Sequence, residues 1–261
     1  MACRLPYDTT GDGYDLENET ILYGRNPVLE ALAASRPADS VLLARGERHG
    51  NIHKIIALCK ERGIPVKDVD RQKLDALCGG GNHQGVALVV SEYAYTELED
   101  ILRAAQQSGQ PPFLIIADEI TDPHNLGALL RTADAVGAHG VIIPKRRSVG
   151  LTGTVAKTSA GAIEHVPVAR CTNLVDTAQR LKKEGLWIYG ADMDGQSCFE
   201  TDFGGPVALV VGAEGKGISR LLKETCDFLV SIPMTGHIES LNASVAGSIL
   251  MYEVLRNRMS K

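Results

Sequence analysis

The sequence lacks the two features that would carry the chain into or across a membrane. No apolar run reaches the ~20 residues that a membrane-spanning helix needs. The first ten residues, MACRLPYDTT, do not place a basic stretch before an apolar core, as a secretory signal does. We therefore expect a cytoplasmic protein that has no membrane partner.

Paired cysteines are missing as well. The six cysteines are scattered, and no two of them form a C-x-x-C pair. Zinc sites and disulfide frameworks depend on such clustering, so we expect neither, and no metal is predicted. Each thiol is expected to be a small buried apolar group. The six are Cys3, Cys59, Cys78, Cys171, Cys198 and Cys226.

An excess of positive charge, common in nucleic-acid-binding proteins, is also absent. The net charge is −5, but Arg4 is opposed by five carboxylates within the first 20 residues, where most of the imbalance lies. The overall charge therefore neither supports nor excludes RNA as a partner. Phosphate contacts would depend on local basic clusters, for which a solvated surface turn is the simpler explanation. The candidates are residues 145–147 (Lys-Arg-Arg) and the group Arg45, Arg48 and His49.

The chain divides into four segments. Residues 1–19 are polar and acidic without periodicity, which predicts a disordered tail. Residues 20–92 alternate short helix and strand patterns and predict a small α/β domain. Residues 93–112 predict a linker with a helix, because a Thr-x-x-Glu capping box opens a helix that a Gly- and Pro-containing stretch follows. Residues 113–261 form the second domain.

The second domain alternates strands and helices. Its first strand, FLIIA at 113–117, is a continuous apolar run, which is typical of a strand buried on both faces. The alternation predicts a mainly parallel sheet with helices on both faces. In such sheets ligands bind at the carboxyl ends of the strands.

The first candidate site follows strand 113–117. Asn125 is predicted at the N-cap of the next helix. Gly127 and Arg131 are four residues apart and share the helix face opposite a leucine stripe. Arg131 is therefore predicted to point away from the core, beside a glycine that leaves room for a ligand. Geometry alone favours a simpler explanation, in which Asn125 is a cap and Arg131 a solvated arginine.

The second candidate site is the glycine-rich turn at 209–220. Its glycines, from Gly212 onward, are spaced G-x-x-G-x-G, which is not the dinucleotide fingerprint. Its lysine precedes a glycine rather than Ser or Thr, so the turn is not a P-loop. Glu214 would repel phosphate, which favours a ligand that is not mainly phosphate. An ordinary glycine turn is the alternative.

The third candidate site lies between a strand that ends at residues 232–234 and the final helix. Ser240 and Asn242 alternate with an apolar residue, so in extended backbone both would face the same side. Capping by Asn242 or Ser244 is the simpler alternative. The apolar residues of the final helix cover more than one face, which indicates two packing partners, the sheet and a second subunit.

Together, in this order, the three sites resemble the SpoU (TrmH-like) family of RNA 2′-O-ribose methyltransferases. The resemblance covers the chain from about residue 113 to the end. It extends weakly over 24–32 (GRNPVLEAL) and 83–88 (HQGVAL), which look like the RNA-binding domain of the RlmB-like ribosomal-RNA branch. The residues that carry the resemblance are Asn125, Gly127, Arg131, the stretch Gly212, Ala213, Glu214 and Gly215, then Ile232, Pro233 and Met234, and finally Ser240, Leu241 and Asn242.

The resemblance implies a fold, a cofactor and an assembly. The parallel-sheet domain would end in a C-terminal trefoil knot and follow a small α/β RNA-binding domain resembling ribosomal protein L30e. S-adenosyl-L-methionine, without a metal, would be held by backbone groups around Gly212, Ile232 and Leu241, with Met234 nearby. The protein would be a homodimer through the knot and the final helix.

The resemblance also implies the reaction, which is methyl transfer to a ribose 2′-hydroxyl in structured RNA. The RlmB-like branch points to a guanosine in large-subunit ribosomal RNA. Arg131 would act on the hydroxyl, and Asn125, Glu214, Ser240 and Asn242 would hold Arg131 and the ribose. Because arginine stays protonated, we expect Arg131 to stabilise charge on the oxygen rather than to act as a free base.

Three alternatives stay open. A transfer-RNA 2′-O-methyltransferase of the same family would carry the same motifs. A non-catalytic RNA-binding homologue would keep the fold, although the intact polar residues argue against it. A doubly wound NAD- or ATP-dependent enzyme is disfavoured by the glycine spacing of the second site.

Overall fold

The computed structural model describes residues 20–34, 37–46, 50–90, 93–238 and 240–259. These residues form one four-stranded sheet and one six-stranded sheet. The tail predicted at 1–19 lies outside the described residues, and so do Arg48 and His49. In the ranges given, no helix combines the length and apolar character that a bilayer crossing needs.

The first sheet lies in the amino-terminal part of the chain. Its strands follow the order β1–β4–β2–β3, with β4 antiparallel to both neighbours and β3 parallel to β2. The described elements between residues 20 and 90 are β1 (Thr20–Tyr23), α1 (Arg25–Ala33), β2 (Ala38–Ala44), α2 (Ile52–Glu61), β3 (Val66–Val69), α3 (Arg71–Leu77) and β4 (Val86–Val90).

Helices cover both faces of this sheet. On one face, Val28 of α1 and Ile52 and Ile55 of α2 pack against β2 and β4. On the other face, Leu74 of α3 packs against the opposite side chains of the same strands. Every residue of β4 is buried as a result. The small α/β unit predicted from the alternating patterns is confirmed.

The second sheet is parallel throughout, with the order β10–β8–β9–β5–β6–β7. The parallel α/β sheet predicted from the alternation of strands and helices is therefore confirmed. Its elements are α4 (Leu98–Gln107), β5 (Phe113–Ala117), α5 (Pro123–Ala135), β6 (Gly140–Pro144), α6 (Gly153–Thr158), β7 (Val168–Cys171), α7 (Leu174–Lys183), β8 (Trp187–Ser197), β9 (Val207–Val211), α8 (Arg220–Thr225), β10 (Phe228–Ser231) and α9 (Ala243–Met259).

Two apolar clusters lie on opposite faces of the second sheet. The first contains side chains of α5 and α9, and the second contains side chains of α4, α7 and α8. All residues of β5 and β9, the central strands, are buried between these layers. Burial on both faces explains why these two strands are uninterrupted apolar runs.

The helix in the predicted linker packs against this second sheet. Ile101 and Leu102 of α4 are buried in the same cluster as α7. The predicted capping box is wrong, because α4 begins at Leu98 with Glu97 at its N-cap and no side-chain capping bond. The backbone N–H of Thr96 instead donates to the carbonyl of Val168 on β7, at 2.8 Å. Pairing with the sheet thus sets the start of α4.

Candidate active site

The three candidate sites lie at one edge of the second sheet. Asn125 follows β5, Gly212 follows β9 and Ile232 follows β10. These strands are parallel, so their carboxyl ends lie at the same edge. This is the edge at which parallel α/β sheets bind ligands.

The start of α5 differs from the prediction. Asp122, not Asn125, is the N-cap, and its carboxylate accepts a hydrogen bond from the N–H of His124 at 2.8 Å. Pro123 occupies the first helical position, which needs no N–H donor. Asn125 lies in the first turn and is buried. It is therefore an internal polar side chain rather than the cap.

Gly127 serves packing rather than ligand access. A Cβ at this position would lie 1.9 Å from Oγ1 of Thr158 on α6. The expected gap is therefore filled by α6, and that part of the prediction is wrong. Arg131, one turn further along α5, is exposed as predicted. It has no hydrogen bond or ion pair within the described part of the chain.

The turn after β9 is closed by its own backbone. Ala213 and Gly217 exchange two hydrogen bonds, of 3.1 and 2.8 Å. Gly212 lies so close to this hairpin that an added Cβ would be 2.2 Å from the backbone carbon of Gly217. Glu214 is consequently held at an exposed tip.

Asp118 is a residue that the sequence reasoning missed. It is buried directly after β5, and its Oδ2 accepts a hydrogen bond from the N–H of Ser219 at 2.7 Å. Its own N–H donates to the carbonyl of Val211 at 2.8 Å. Asp118 therefore ties the end of β5 to both ends of the glycine-rich turn. A carboxylate at the end of a buried apolar strand was the signal that could have revealed it.

A hydrogen bond joins the second and third candidate sites. The side-chain amide of Asn242 donates to Oε2 of Glu214 at 3.0 Å. The side-chain oxygen of Asn242 accepts from the N–H and the hydroxyl of Ser244, at 3.0 and 2.7 Å. Asn242 thus serves as the cap of α9 and also orients Glu214. Ser240 is exposed two residues earlier.

The segment after β10 presents apolar groups near the same edge. The strand ends at Ser231, and the half-buried Ile232 follows it. Met234 and Ile238 are exposed, and Leu241 is half-buried. Four apolar residues thus occur in the segment that joins β10 to α9.

The helix that carries Arg131, α5, packs against α9, the helix that follows the third candidate site. The hydroxyls of Thr132 and Ser248 are 2.8 Å apart. A Cβ on Gly247 would lie 2.6 Å from the side chain of Leu129, so the two helices are in close contact. Arg131 is exposed on α5, and the next residue, Thr132, contacts α9. On its outer face, α9 exposes Val245 and Tyr252.

A basic loop borders the site at the end of β6. Arg146 and Arg147 are exposed. The guanidinium of Arg147 donates to Oε1 of Glu119 at 3.0 Å. Glu119 is the second residue after β5. Since β6 is the parallel neighbour of β5, this loop lies at the same edge of the sheet as Asn125.

The cysteines that the structure describes are buried or half-buried and form no disulfide. Burial raises the pKa of the Cys59 thiol to about 11 and that of Cys226 to about 12. Both thiols are therefore protonated at neutral pH. No group of three or more His, Cys, Asp or Glu side chains among the described residues is arranged to hold a metal ion.

Two family models match the chain. Residues 112–252 match the SpoU rRNA methylase family. Residues 21–96 match a family described as RNA 2′-O ribose methyltransferase substrate binding.

Relatives with similar sequences carry related names. YacO of Bacillus subtilis, whose name places it in the TrmH family of tRNA/rRNA methyltransferases, is 51% identical over 236 residues, which cover 90% of this chain and 94% of that protein. A protein of Staphylococcus aureus named for the same family is 45% identical over 243 residues, which cover 92% of this chain and 97% of that protein.

Solved structures share the architecture. The SpoU methyltransferase AviRb from Streptomyces viridochromogenes, in complex with AdoMet, aligns with a TM-score of 0.58 and 26% identity, covering 94% of this chain and 92% of that chain. A TrmH/SpoU tRNA modifying enzyme from A. aeolicus aligns with a TM-score of 0.52 and 29% identity, covering 62% of this chain and 85% of that chain.

Proposed function

Because the chain belongs to the SpoU (TrmH) family of RNA methyltransferases, we propose that it transfers the methyl group of S-adenosylmethionine to a ribose 2′-hydroxyl of RNA. The substrate that we propose is a guanosine of large-subunit ribosomal RNA. The 2′-O position is supported by the family description that matches residues 21–96. A 2′-hydroxyl distinguishes RNA from DNA, so this chemistry selects RNA.

The observation that carries the proposal is the convergence of the three sites. The 3.0 Å bond between Asn242 and Glu214 joins two of them. The 2.8 Å contact between Thr132 and Ser248 brings the helix of Arg131 beside α9. Segments that follow three separate parallel strands thus lie at one edge of the sheet, which supports a shared site there.

The residues at this edge fit S-adenosylmethionine. The turn from Gly212 has no Lys-Ser or Lys-Thr pair to cradle phosphate, and Glu214 stands at its tip. S-adenosylmethionine has no phosphate, and its adenine suits the apolar side chains of Ile232, Met234 and Leu241. When bound, it supplies a methyl group activated by a sulfonium.

Arg131 is the residue that we assign to the reacting oxygen. A guanidinium stays protonated at neutral pH, so it stabilises negative charge on the oxygen rather than removing the proton as a free base. Its exposure leaves it open to RNA. Asn125, Glu214, Ser240 and Asn242 are assigned to orienting Arg131 and the ribose. Alignment of the oxygen with the methyl group supplies much of the acceleration.

The basic loop at residues 145–147 is assigned to the RNA backbone. Exposed arginines at the rim of a site attract phosphate, and this attraction weakens with added salt. The loop borders the proposed active site at the end of β6. The loop would thus offer RNA a local positive charge, although the chain as a whole is net negative.

We further propose that the last strands and α9 form a trefoil knot and that the protein is a homodimer through this region. Exposed Val245 and Tyr252 on the outer face of α9 support an apolar subunit interface. Sedimentation as a dimer at micromolar concentration is the expected result, and a monomer would contradict the assembly.

A methyl-transfer assay tests the function. Tritiated S-adenosylmethionine is incubated with the protein and unmodified transcripts of large-subunit ribosomal RNA, with transfer-RNA transcripts in parallel, and 2′-O-methylated nucleotides are mapped. Label on a ribosomal-RNA guanosine is the expected result. Label on transfer RNA alone would overturn the ribosomal assignment, and RNA binding without transfer would identify a non-catalytic homologue.

The role of Arg131 is tested in the same assay. Arg131→Ala is expected to lower kcat about 100-fold, as removal of one charge-stabilising donor does. Arg103→Ala removes an exposed arginine on α4, which covers the other face of the sheet, and serves as the matched control. Wild-type kcat in Arg131→Ala would show that the assignment is wrong.

A further inference from the structure

A network of buried polar side chains joins the two sheets at a place that the proposed chemistry does not use. Asp39 lies at an irregularity of β2, where the β2–β4 register shifts between Ala38 and Ser40. Its Oδ1 accepts from the guanidinium of Arg170 on β7 at 3.3 Å, and only 11% of each side chain is exposed. The same guanidinium donates to the backbone carbonyls of Ala38 and Asp39, at 3.2 and 2.9 Å.

Tyr95 completes the network. Its hydroxyl donates to Oδ1 of Asp39 and accepts from the N–H of Leu151 at 2.9 Å. The guanidinium of Arg170 lies 4.6 Å from the centre of the Tyr95 ring, within the range of a cation–π contact. Burial and the charge of Asp39 raise the pKa of Tyr95, so its hydroxyl stays a donor at neutral pH. Asp39, Tyr95 and Arg170 are called the interdomain latch below.

The two units fit closely around the latch. A Cβ on Gly150 would lie 2.4 Å from Oδ1 of Asp39 and 2.9 Å from the hydroxyl of Tyr95. At a second place, a Cβ on Gly63 of the first unit would lie 2.5 Å from Nζ of Lys145, which belongs to the second. The two units therefore approach each other at two separate places.

The latch contacts the loop that supports the helix of Arg131. Leu151, which donates to Tyr95, follows residues 148–150. In that loop the N–H of Val149 and the hydroxyl of Ser148 both donate to the carbonyl of Ile120, at 2.9 and 3.1 Å. Ile120 lies two residues before the N-cap of α5. The orientation of the first unit is thus connected by direct contacts to the start of α5.

We propose that Asp39, Tyr95 and Arg170 are positioning residues, which hold the RNA-binding unit at one orientation on the methyltransferase unit and thereby select the nucleotide presented to Arg131. The inference rests on the proposed function for the identity of the reaction. If one unit binds RNA and the other reacts with it, the fixed distance between them determines which ribose reaches the site. A displacement of about 1 Å can lower a rate about 100-fold.

The first experiment measures the latch without using activity. Hydrogen–deuterium exchange is compared in residues 38–44 and 148–152 of the full chain, for the wild type, Asp39→Asn and Tyr95→Phe. Each substitution keeps the shape of the side chain and removes a charge or a hydroxyl. Exchange about tenfold faster in both segments is expected, because local opening sets the exchange rate.

The matched control for this experiment is Arg103→Ala. It removes one member of an exposed ion pair, with Asp100 at 2.9 Å, within a single helix. Its exchange in the two segments should equal that of the wild type. Wild-type exchange in both Asp39→Asn and Tyr95→Phe would overturn the latch.

The second experiment maps methylation of an unmodified large-subunit ribosomal-RNA transcript. In the two latch variants, transfer at the wild-type nucleotide is expected to fall about 100-fold, with methyl groups appearing on neighbouring nucleotides. Affinity for S-adenosylhomocysteine, measured by calorimetry, should change less than about twofold, because the latch does not touch the cofactor site. If a latch variant exchanges faster but still methylates the wild-type nucleotide at the wild-type rate, the latch does not select the nucleotide.

Methyl transfer and hydrogen exchange report separately on the reaction and on the latch. A wild-type protein that methylates neither ribosomal nor transfer RNA would contradict the proposed function. The exchange measurement would still decide whether these three residues hold the two units together.

Discussion

Asn242 donates a hydrogen bond to Glu214 across 28 residues of sequence, at 3.0 Å. The same asparagine caps α9 by accepting from the N–H of Ser244. One side chain therefore sets both the start of the last helix and the orientation of the acidic group at the tip of the glycine turn. Stability and site geometry are coupled at this residue.

Asn242→Ala should reduce both stability and activity. Loss of the cap is expected to lower the free energy of unfolding by about 1 kcal/mol. Loss of the Glu214 contact should lower kcat for methyl transfer about 100-fold. Asn173→Ala is the matched control, since Asn173 caps α7 by accepting from the N–H of Val175 at 2.9 Å. Urea unfolding should show the same loss of stability in both variants. Methyl transfer should be reduced only in Asn242→Ala. Equal activity in the two variants would contradict the role assigned to Asn242.

Gly127→Ala should destabilise the second unit. The added methyl would lie 1.9 Å from Oγ1 of Thr158, and such overpacking costs about 1–3 kcal/mol. Gly205→Ala adds the same methyl where no atom lies within 4 Å and should unfold like the wild type. Adding Thr158→Ala to Gly127→Ala should recover part of the loss, because the clashing oxygen is removed. Equal urea midpoints for the two glycine variants would refute the packing role.

Arg146→Ala should weaken RNA binding and reduce its salt dependence. Arg146 is exposed in the basic loop beside the site. Loss of one phosphate contact is expected to reduce the slope of log affinity against log salt concentration by about 1. Lys183→Ala, at the end of α7, removes an equal charge elsewhere. Filter binding of ribosomal-RNA transcript over a salt series measures both, and identical slopes would exclude the loop from the RNA path.

His139 should make stability fall as the solution is acidified. Burial, followed by the charge of Arg258, lowers the pKa of His139. Its Nδ1 accepts from the N–H of Phe113 at 3.0 Å, so the folded protein favours the neutral ring. As the pH falls, this histidine therefore becomes protonated in the unfolded chain at a higher pH than in the folded protein. The free energy of unfolding decreases as the pH falls from the usual histidine pKa of about 6.5 towards the lower pKa of the folded protein.

His139→Gln should remove this pH dependence. Urea unfolding of the wild type between about pH 7 and pH 5 is expected to show a steeper loss of stability than that of the variant. His53→Gln, at an exposed position of α2, is the control and should follow the wild type. Parallel curves for the wild type and His139→Gln would show that the ring does not contribute.

Elements with one dominant signal could be predicted from the sequence. The strand predicted at 113–117 coincides with β5. A parallel strand that is buried on both faces must be apolar throughout, so a local run of apolar residues is enough to reveal it. The family was also predicted correctly from three spaced motifs.

Caps and glycine roles were harder to predict. Asn125 and Asp122 are both residue types that cap helices well. The chain turns into α5 at Asp122, so Asp122 is the N-cap. Thr96 looked like a cap until pairing of its N–H with Val168 set the start of α4. A glycine in a pattern does not show whether a ligand or a side chain such as Thr158 fills the space beside it.

The sequence by itself determined the α/β class, the parallel sheet and the residues that carry the family resemblance, because each depends on local apolar pattern or on spacing. Only the tertiary structure decided which of those residues meet. The Glu214–Asn242 bond and the Asp39–Arg170 pair, 131 residues apart, depend on how strands order themselves in a sheet and how one sheet packs on another. Contacts of this kind are non-local, so no local pattern in the chain encodes them directly.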